Sequence, residues 1–292
     1  MPGRVLRLFV AELMKLQGQR FLLVALVFLV IALGLAIRRA ESDIGAKSDG
    51  ESSVEIDSDA EPAKPASHGF AVLAASWKWG CRAVALIVLV AGSMMISSEF
   101  AQGTLKLVFS RPVRRVELFL AKCLVLMVFS VLLIAFTMGG TWLYVGMTSG
   151  YGDVVDQKWS GHVHFSAAVM HSAVWHGAVL SLLPVLALAC MGLLISTLAP
   201  GSGTSVAVAI LVHLVMEAVG EYLSSEEAAW LFTSFARMPT DVLLEMSQGI
   251  AGNKAFLLET AVWSKPVLVP VVSLLVMAAL AVFAFSRRDI PA

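Results

Sequence analysis

Residues 99–122 read EFAQGTLKLVFSRPVRRVELFLAK, and this stretch decides how the chain is read. It lies between two runs apolar enough to bury in lipid, one ending at Ile96 and one beginning at Leu118. Five of its residues are basic (Lys106, Arg111, Arg114, Arg115, Lys122) and two are acidic (Glu99, Glu117). Cations concentrated beside a membrane span belong on the cytoplasmic side, so the segment sets the expected orientation of the chain.

Composition agrees with lipid as the solvent. Of the 292 residues, 58% are apolar and 14% charged, with a mean hydropathy of +0.83; a soluble domain carries about 25% charged residues. The formal net charge is zero, which gives no reason to expect a nucleic-acid partner. Cys81, Cys123 and Cys190 lie in or beside apolar runs without CxxC spacing, so neither a disulfide framework nor a zinc site is implied.

Working outward, residues 1–20 interleave Val5, Leu6, Phe9, Leu13 and Met14 with Arg4, Arg7, Glu12 and Lys15, the pattern of an amphipathic helix at the membrane interface. Residues 21–37 contain no charge and at about 1.5 Å per residue are long enough for a first span. Residues 38–69 hold eight acidic and four basic residues among Ser, Gly and Pro, and are expected to form an acidic outer loop. Further spans are expected at 70–97, 118–147, 173–198, 204–219 and 267–285, with short helices in the outer segment 220–266. Lys78 and Arg82 interrupt the second span and are expected to snorkel outward; Pro184 is expected to kink the fourth.

The fold expected is therefore all-α: one polytopic domain of six transmembrane helices preceded by an interfacial helix. Six spans put both termini on one side. Lys and Arg divide almost evenly, eleven inner against ten outer, but five of the inner ones crowd into residues 98–117 and Lys122, and that density places both termini in the cytoplasm.

No GxxxxGK(S/T), HExxH, GxSxG or dinucleotide-type glycine run is present, so the chain has no recognisable means of hydrolysing nucleotide and is read as non-catalytic. Within 98–117, Gly103 and Thr104 can end a helix and Pro112 can open another. A helix, turn and short helix joined to two spans can transmit a push from a soluble partner. The same charges also suit a loop that only sets topology and binds anionic lipid.

The pattern E99-x3-GTL-x5-RP-x2-R115-x6-K122, set between spans two and three of six, resembles the permease subunits of ABC-2 type transporters. The resemblance extends to the short turn Ala199–Gly203 and the long outer segment before the last span. It implies that residues 98–117 contain a coupling helix that seats in a separate ATPase. Two ATPase copies would work with two permeases, the second identical or related, in a bacterial inner membrane. By motif position the coupling residues are Glu99, Gly103, Thr104, Arg111, Pro112, Arg114, Arg115 and Lys122, with the basic ones pairing with acidic ATPase or lipid groups. ATP and Mg would sit on the partner, and no cofactor on this chain. The long acidic loop departs from compact members of the family. It leaves room for an extracytoplasmic partner and for an alternative: an ATPase-driven scaffold of an envelope or maturation complex that carries nothing through itself.

Two polar groupings remain. His162, His164, His171 and His176 cluster at the start of span four and just before it, and His162 with His164 could share one face of an extended stretch and bind a metal, although nothing completes a ligand spacing. His213 and Glu217 lie four apart in span five, hence on one helix face, where ionisable groups are costly and point to the protein interior or a wet cavity. A polar interhelical contact is the plainer alternative for that pair.

Overall fold

The computed structural model describes residues 2–17, 20–51, 68–104, 114–155, 163–223, 227, 230–247 and 264–287. Its helices are α1 (Pro2–Gln17), α2 (Arg20–Glu51), α3 (His68–Ala101), α4 (Arg115–Thr148), α5 (Ala167–Leu198), α6 (Ser202–Tyr222), α7 (Ser234–Ser247) and α8 (Ser264–Arg287). Two short strands, β1 (Val154–Val155) and β2 (Val163–Phe165), pair antiparallel, with Val154 opposite Phe165.

Six of the helices are long and apolar enough to cross a membrane, over Leu23–Ile44, Gly69–Ala101, Arg115–Thr148, Ala167–Leu198, Ser202–Gly220 and Lys265–Arg287. The chain is a multi-pass membrane protein of the all-α class. Several spans outrun their expected limits: α4 has 34 residues, about 51 Å at ~1.5 Å per residue, against a hydrocarbon core of roughly 30 Å. Helical hydrogen bonding continues into the polar zones because it satisfies the backbone there as well as in lipid.

α3 and α5 form the centre. α3 touches α2, α4, α5, α6 and α7, while α5 also carries α8. The two cross closely at Gly92 and Gly192. A Cβ on Gly192 would stand 2.6 Å from the Leu89 carbonyl oxygen, and one on Gly92 would stand 2.9 Å from that of Ala189. Lipid supplies no hydrophobic drive between helices, so small residues that let backbones approach are what hold such a crossing together. Serines add to it. Ser196 Oγ accepts from the backbone N–H groups of Ile96 and Ser97 at 2.9 and 2.8 Å, while Ser205 on α6 donates to the Ser93 carbonyl at 2.6 Å and ties α6 to α3.

One buried cluster, around Leu29, Val88, Leu118, Phe119, Val125, Leu126 and Phe285, fills the half of the bundle next to residues 98–117, the proximal end. A second, around Phe70, Leu73, Trp77, Met170, Val174 and Met246, fills the distal half. α6 and α8 lie at the edge, with Leu211, Leu214, Leu275 and Phe283 exposed. Exposed apolar side chains of that kind suit a lipid-facing surface. Cys81, Cys123 and Cys190 are buried free thiols.

Three expectations are corrected. Residues 38–51 are not loop: α2 continues through them to Glu51. Ala40 and Ile44 keep the four-residue spacing that packs on the distal cluster, and Arg39 reaches Asp43 one turn on at 3.8 Å. Residues 52–67 lie outside the described residues. The fourth long helix starts at Ala167 rather than 173, because Ser166 caps it. Lys78 and Arg82 do not turn outward to snorkel; both find carboxylates within the protein.

α1 is a helix, and Phe9 and Leu13 pack against the proximal cluster while Leu6, Val10 and Met14, spaced by four, stay exposed. Pro184 lies buried inside α5, and the helix continues past it.

Candidate functional site

At the proximal end α3 stops where its sequence changes. Gly103 takes φ +67, a conformation an L side chain rarely adopts, and Thr104 Oγ1 reaches the Glu99 carbonyl at 3.4 Å. Residues 105–113, with Lys106, Arg111 and Pro112, lie outside the described residues. The chain re-enters at Arg114, which is exposed; its backbone N–H donates to the Glu117 carboxylate at 3.2 Å, capping the start of α4.

Glu99 and Lys122, on opposite sides of this segment, meet in the interior. Lys122 is 0% exposed. Its ammonium donates to Glu99 Oε1 at 2.8 Å, to Glu12 Oε2 at 3.0 Å and to the Met95 carbonyl at 3.2 Å. Lys15 adds a second cation to Glu99. Two carboxylates and two ammonium groups thus join α1, α3 and α4 at one point. A buried ammonium survives only when its donors are used and its charge is matched, and both conditions hold here. Arg115 makes a separate tie: its guanidinium donates to the Ser286 carbonyl at 3.0 Å, holding the C-terminal turn of α8 against the first turn of α4.

Sequence reasoning marked Glu99, Arg115 and Lys122 but missed Glu12 and Lys15, which read only as the wet face of α1. The signal was there in weak form: Lys122 falls seven residues inside a helix built to cross lipid, so a carboxylate had to accompany it. Nothing in the linear order says that α1 would supply one.

A second charged group lies at the distal end, where α7 packs on α3 and α5. Arg237 on α7 pairs with Glu217 on α6, Asp241 one turn further along α7 accepts from Lys78 on α3 at 2.6 Å, and Arg82 Nε stands 3.7 Å from Glu217 Oε2. His213, one turn from Glu217, is buried and lines the same small cavity with Cys81, Ala85 and Leu188. The pair read from the sequence is therefore the α6 contribution to a five-charge cluster.

The outer histidines do not come together as a metal centre among the described residues, where no group of three or more His, Cys, Asp or Glu could hold an ion. His164 lies exposed on β2; His162 is outside the described residues. His171 instead joins rings from Phe70, Trp142 and Tyr151, with centroids 4.9–6.4 Å apart. Tyr151 donates its hydroxyl to the Trp142 carbonyl at 2.7 Å, and burial pushes its phenol above the ordinary tyrosine value. These rings fill one another's space and fasten the connection after α4 onto α3 and α5.

Residues 64–291 match the model of a family described as "Protein of unknown function (DUF2705)", and the chain belongs to that family. No curated protein matches it.

Proposed function

We propose that this DUF2705 protein is the membrane-spanning permease subunit of an ATP-driven transporter. In this reading residues 98–117 face the cytoplasm and receive a separate ATPase, and the bundle forms the path across a bacterial inner membrane. The observation that carries the reading is the buried contact of Lys122 with Glu99 and Glu12 directly behind that segment. A push on the segment reaches α3 through Glu99 and α4 through Lys122. The same contact takes α1 along, and Arg115 connects the end of α8. A loop that only set topology would need its cations exposed and would have no use for a locked foot.

Two ATPase subunits drawn together by ATP would shift two such segments and alter the seam between two permeases; hydrolysis would reset it. The chain itself does no covalent chemistry in this scheme. The stripe Leu6, Val10 and Met14 supports a place for α1 in the membrane interface.

The test is purification of the tagged chain in mild detergent with identification of what accompanies it. An ATP-binding-cassette subunit in near one-to-one ratio, lost when Arg111, Arg114 and Arg115 are all changed to alanine, is expected. No ATPase under conditions that keep other membrane complexes intact would overturn the proposal. Additional extracytoplasmic subunits would instead favour the scaffold role.

A further inference from the structure

One face of α2 runs exposed from the middle of the span to its distal end. Val27, Ile31 and Leu35 follow one another at four-residue intervals, all exposed, and the next position in that series is Arg39, exposed like Arg38 beside it. Residues 21–37 carry no charge, so the two arginines stand where the apolar surface of the span ends. That end is the distal one, since Ala40 and Ile44 pack on the distal cluster.

α3 sets an exposed indole against the same place. Arg39 Cζ lies 5.7 Å from the centroid of the Trp79 ring and Arg82 Cζ 4.8 Å from it. Two guanidinium groups thus share one aromatic ring, which orients both and is held by both. Asp43 does not use up the Arg39 donors: its carboxylate stands 3.8 Å from Nε, beyond hydrogen-bond distance, and both side chains are largely exposed.

We propose that this corner of α2 and α3 holds an anionic phospholipid of the distal leaflet. Its phosphate sits on Arg39 and Arg38 beside Trp79, and an acyl chain lies along Leu35, Ile31 and Val27. The order of groups along the helix is the order of groups along the lipid. Guanidinium is the side chain whose planar fork matches phosphate oxygens, and indole rings settle at the level of the headgroups. From Arg39 back to Val27 is about 18 Å at ~1.5 Å per residue, close to the roughly 15 Å of hydrocarbon in one leaflet. A free phosphate ion meets only the polar end of this surface. A zwitterionic lipid brings its own ammonium against the arginines, so charge favours an anionic headgroup.

The experiment is native mass spectrometry of the purified full-length chain in detergent, titrated with phosphatidylglycerol or with phosphatidylcholine of the same acyl chains. Saturable binding of phosphatidylglycerol, tighter than that of phosphatidylcholine, is expected from the wild type. Its affinity should fall about fivefold in Arg39→Gln, the effect of one arginine at a membrane surface, and further in Arg38→Gln/Arg39→Gln. Arg287→Gln removes the same charge from an exposed position at the proximal end of α8 and should leave affinity unchanged. Equal binding of the two lipids, an equal loss in Arg39→Gln and Arg287→Gln, or full binding by the double variant would overturn the proposal. So would displacement of the lipid by inorganic phosphate, which would mark a free-anion site, or a dimer of the chain that takes up no lipid, which would give this face to a second copy. The readout needs no ATPase, so it stands or falls apart from the transporter proposal.

Discussion

Lys122 Nζ lies 2.8 Å from Glu99 Oε1, although 22 residues and the whole segment between α3 and α4 separate them in sequence. The contact is buried on both sides, the two side chains being 0% and 3% exposed. An ion pair at the surface would contribute little, but breaking a buried one leaves a charge stranded.

Lys122→Ala is therefore expected to destabilise the protein by about 3–5 kcal/mol, because Glu99 and Glu12 would then face each other without their shared cation. The double variant Glu99→Gln/Lys122→Met should be less damaged than the sum of its single changes. Thermal unfolding in detergent across the double-mutant cycle measures this, and strict additivity would mean that the two residues do not act together.

Arg114 and Arg115 should separate by function. Arg115→Ala loses a charged hydrogen bond to Ser286 and should cost about 1–2 kcal/mol of stability. Arg114 is exposed, and Arg114→Ala should leave the unfolding midpoint unchanged while weakening recovery of an ATPase from membranes. Parallel midpoints and pull-downs decide the matter.

Gly192→Ala should be poorly tolerated, since its methyl group would meet the rigid Leu89 carbonyl at 2.6 Å. A loss of about 1–3 kcal/mol is expected from separating α3 and α5. Gly139→Ala on α4 has nothing within 4 Å and should be neutral, or stabilising by up to roughly 1 kcal/mol. Equal midpoints for the two variants would contradict the close crossing.

α7 is fixed to the bundle by Arg237 to Glu217 and by Asp241 to Lys78. Glu217→Gln combined with Asp241→Asn should release it. Hydrogen exchange across residues 234–247 is expected to accelerate about tenfold or more, while α3 and α5 remain protected.

Tyr151 gives an alkaline signature. Burial favours its neutral phenol, so the folded pKa is raised. The stability this provides is full below about pH 10, the unfolded value, and declines as pH rises toward the folded one. Tyr151→Phe should flatten the fall of the unfolding midpoint above about pH 10; an unchanged slope would show that another group controls it.

Several of these features could be read from residue order. The runs around 83–96 and 118–147 had to be buried in lipid, and their backbone had to satisfy its own hydrogen bonds, so helices followed. The break near Gly103 was equally legible, because a positive φ favours glycine. The extent of α2 was not. Residues 38–51 are rich in charge, and their helix is supported by Ala40 and Ile44 packing on a cluster drawn from α3, α5 and α7.

The same division runs through the charged residues. Sequence alone determined that Lys78, Arg82, Lys122, His213 and Glu217 lie where lipid is a poor solvent for them, because composition and span length fix depth. Which partner each one meets was decided by tertiary structure alone: Glu12 and Glu99 for Lys122, Asp241 for Lys78, Arg237 for Glu217. The physical reason is that burial of a charge is a local cost, set by the residue and its depth. Its compensation is a contact between helices up to 163 residues apart, and that is set only when they pack.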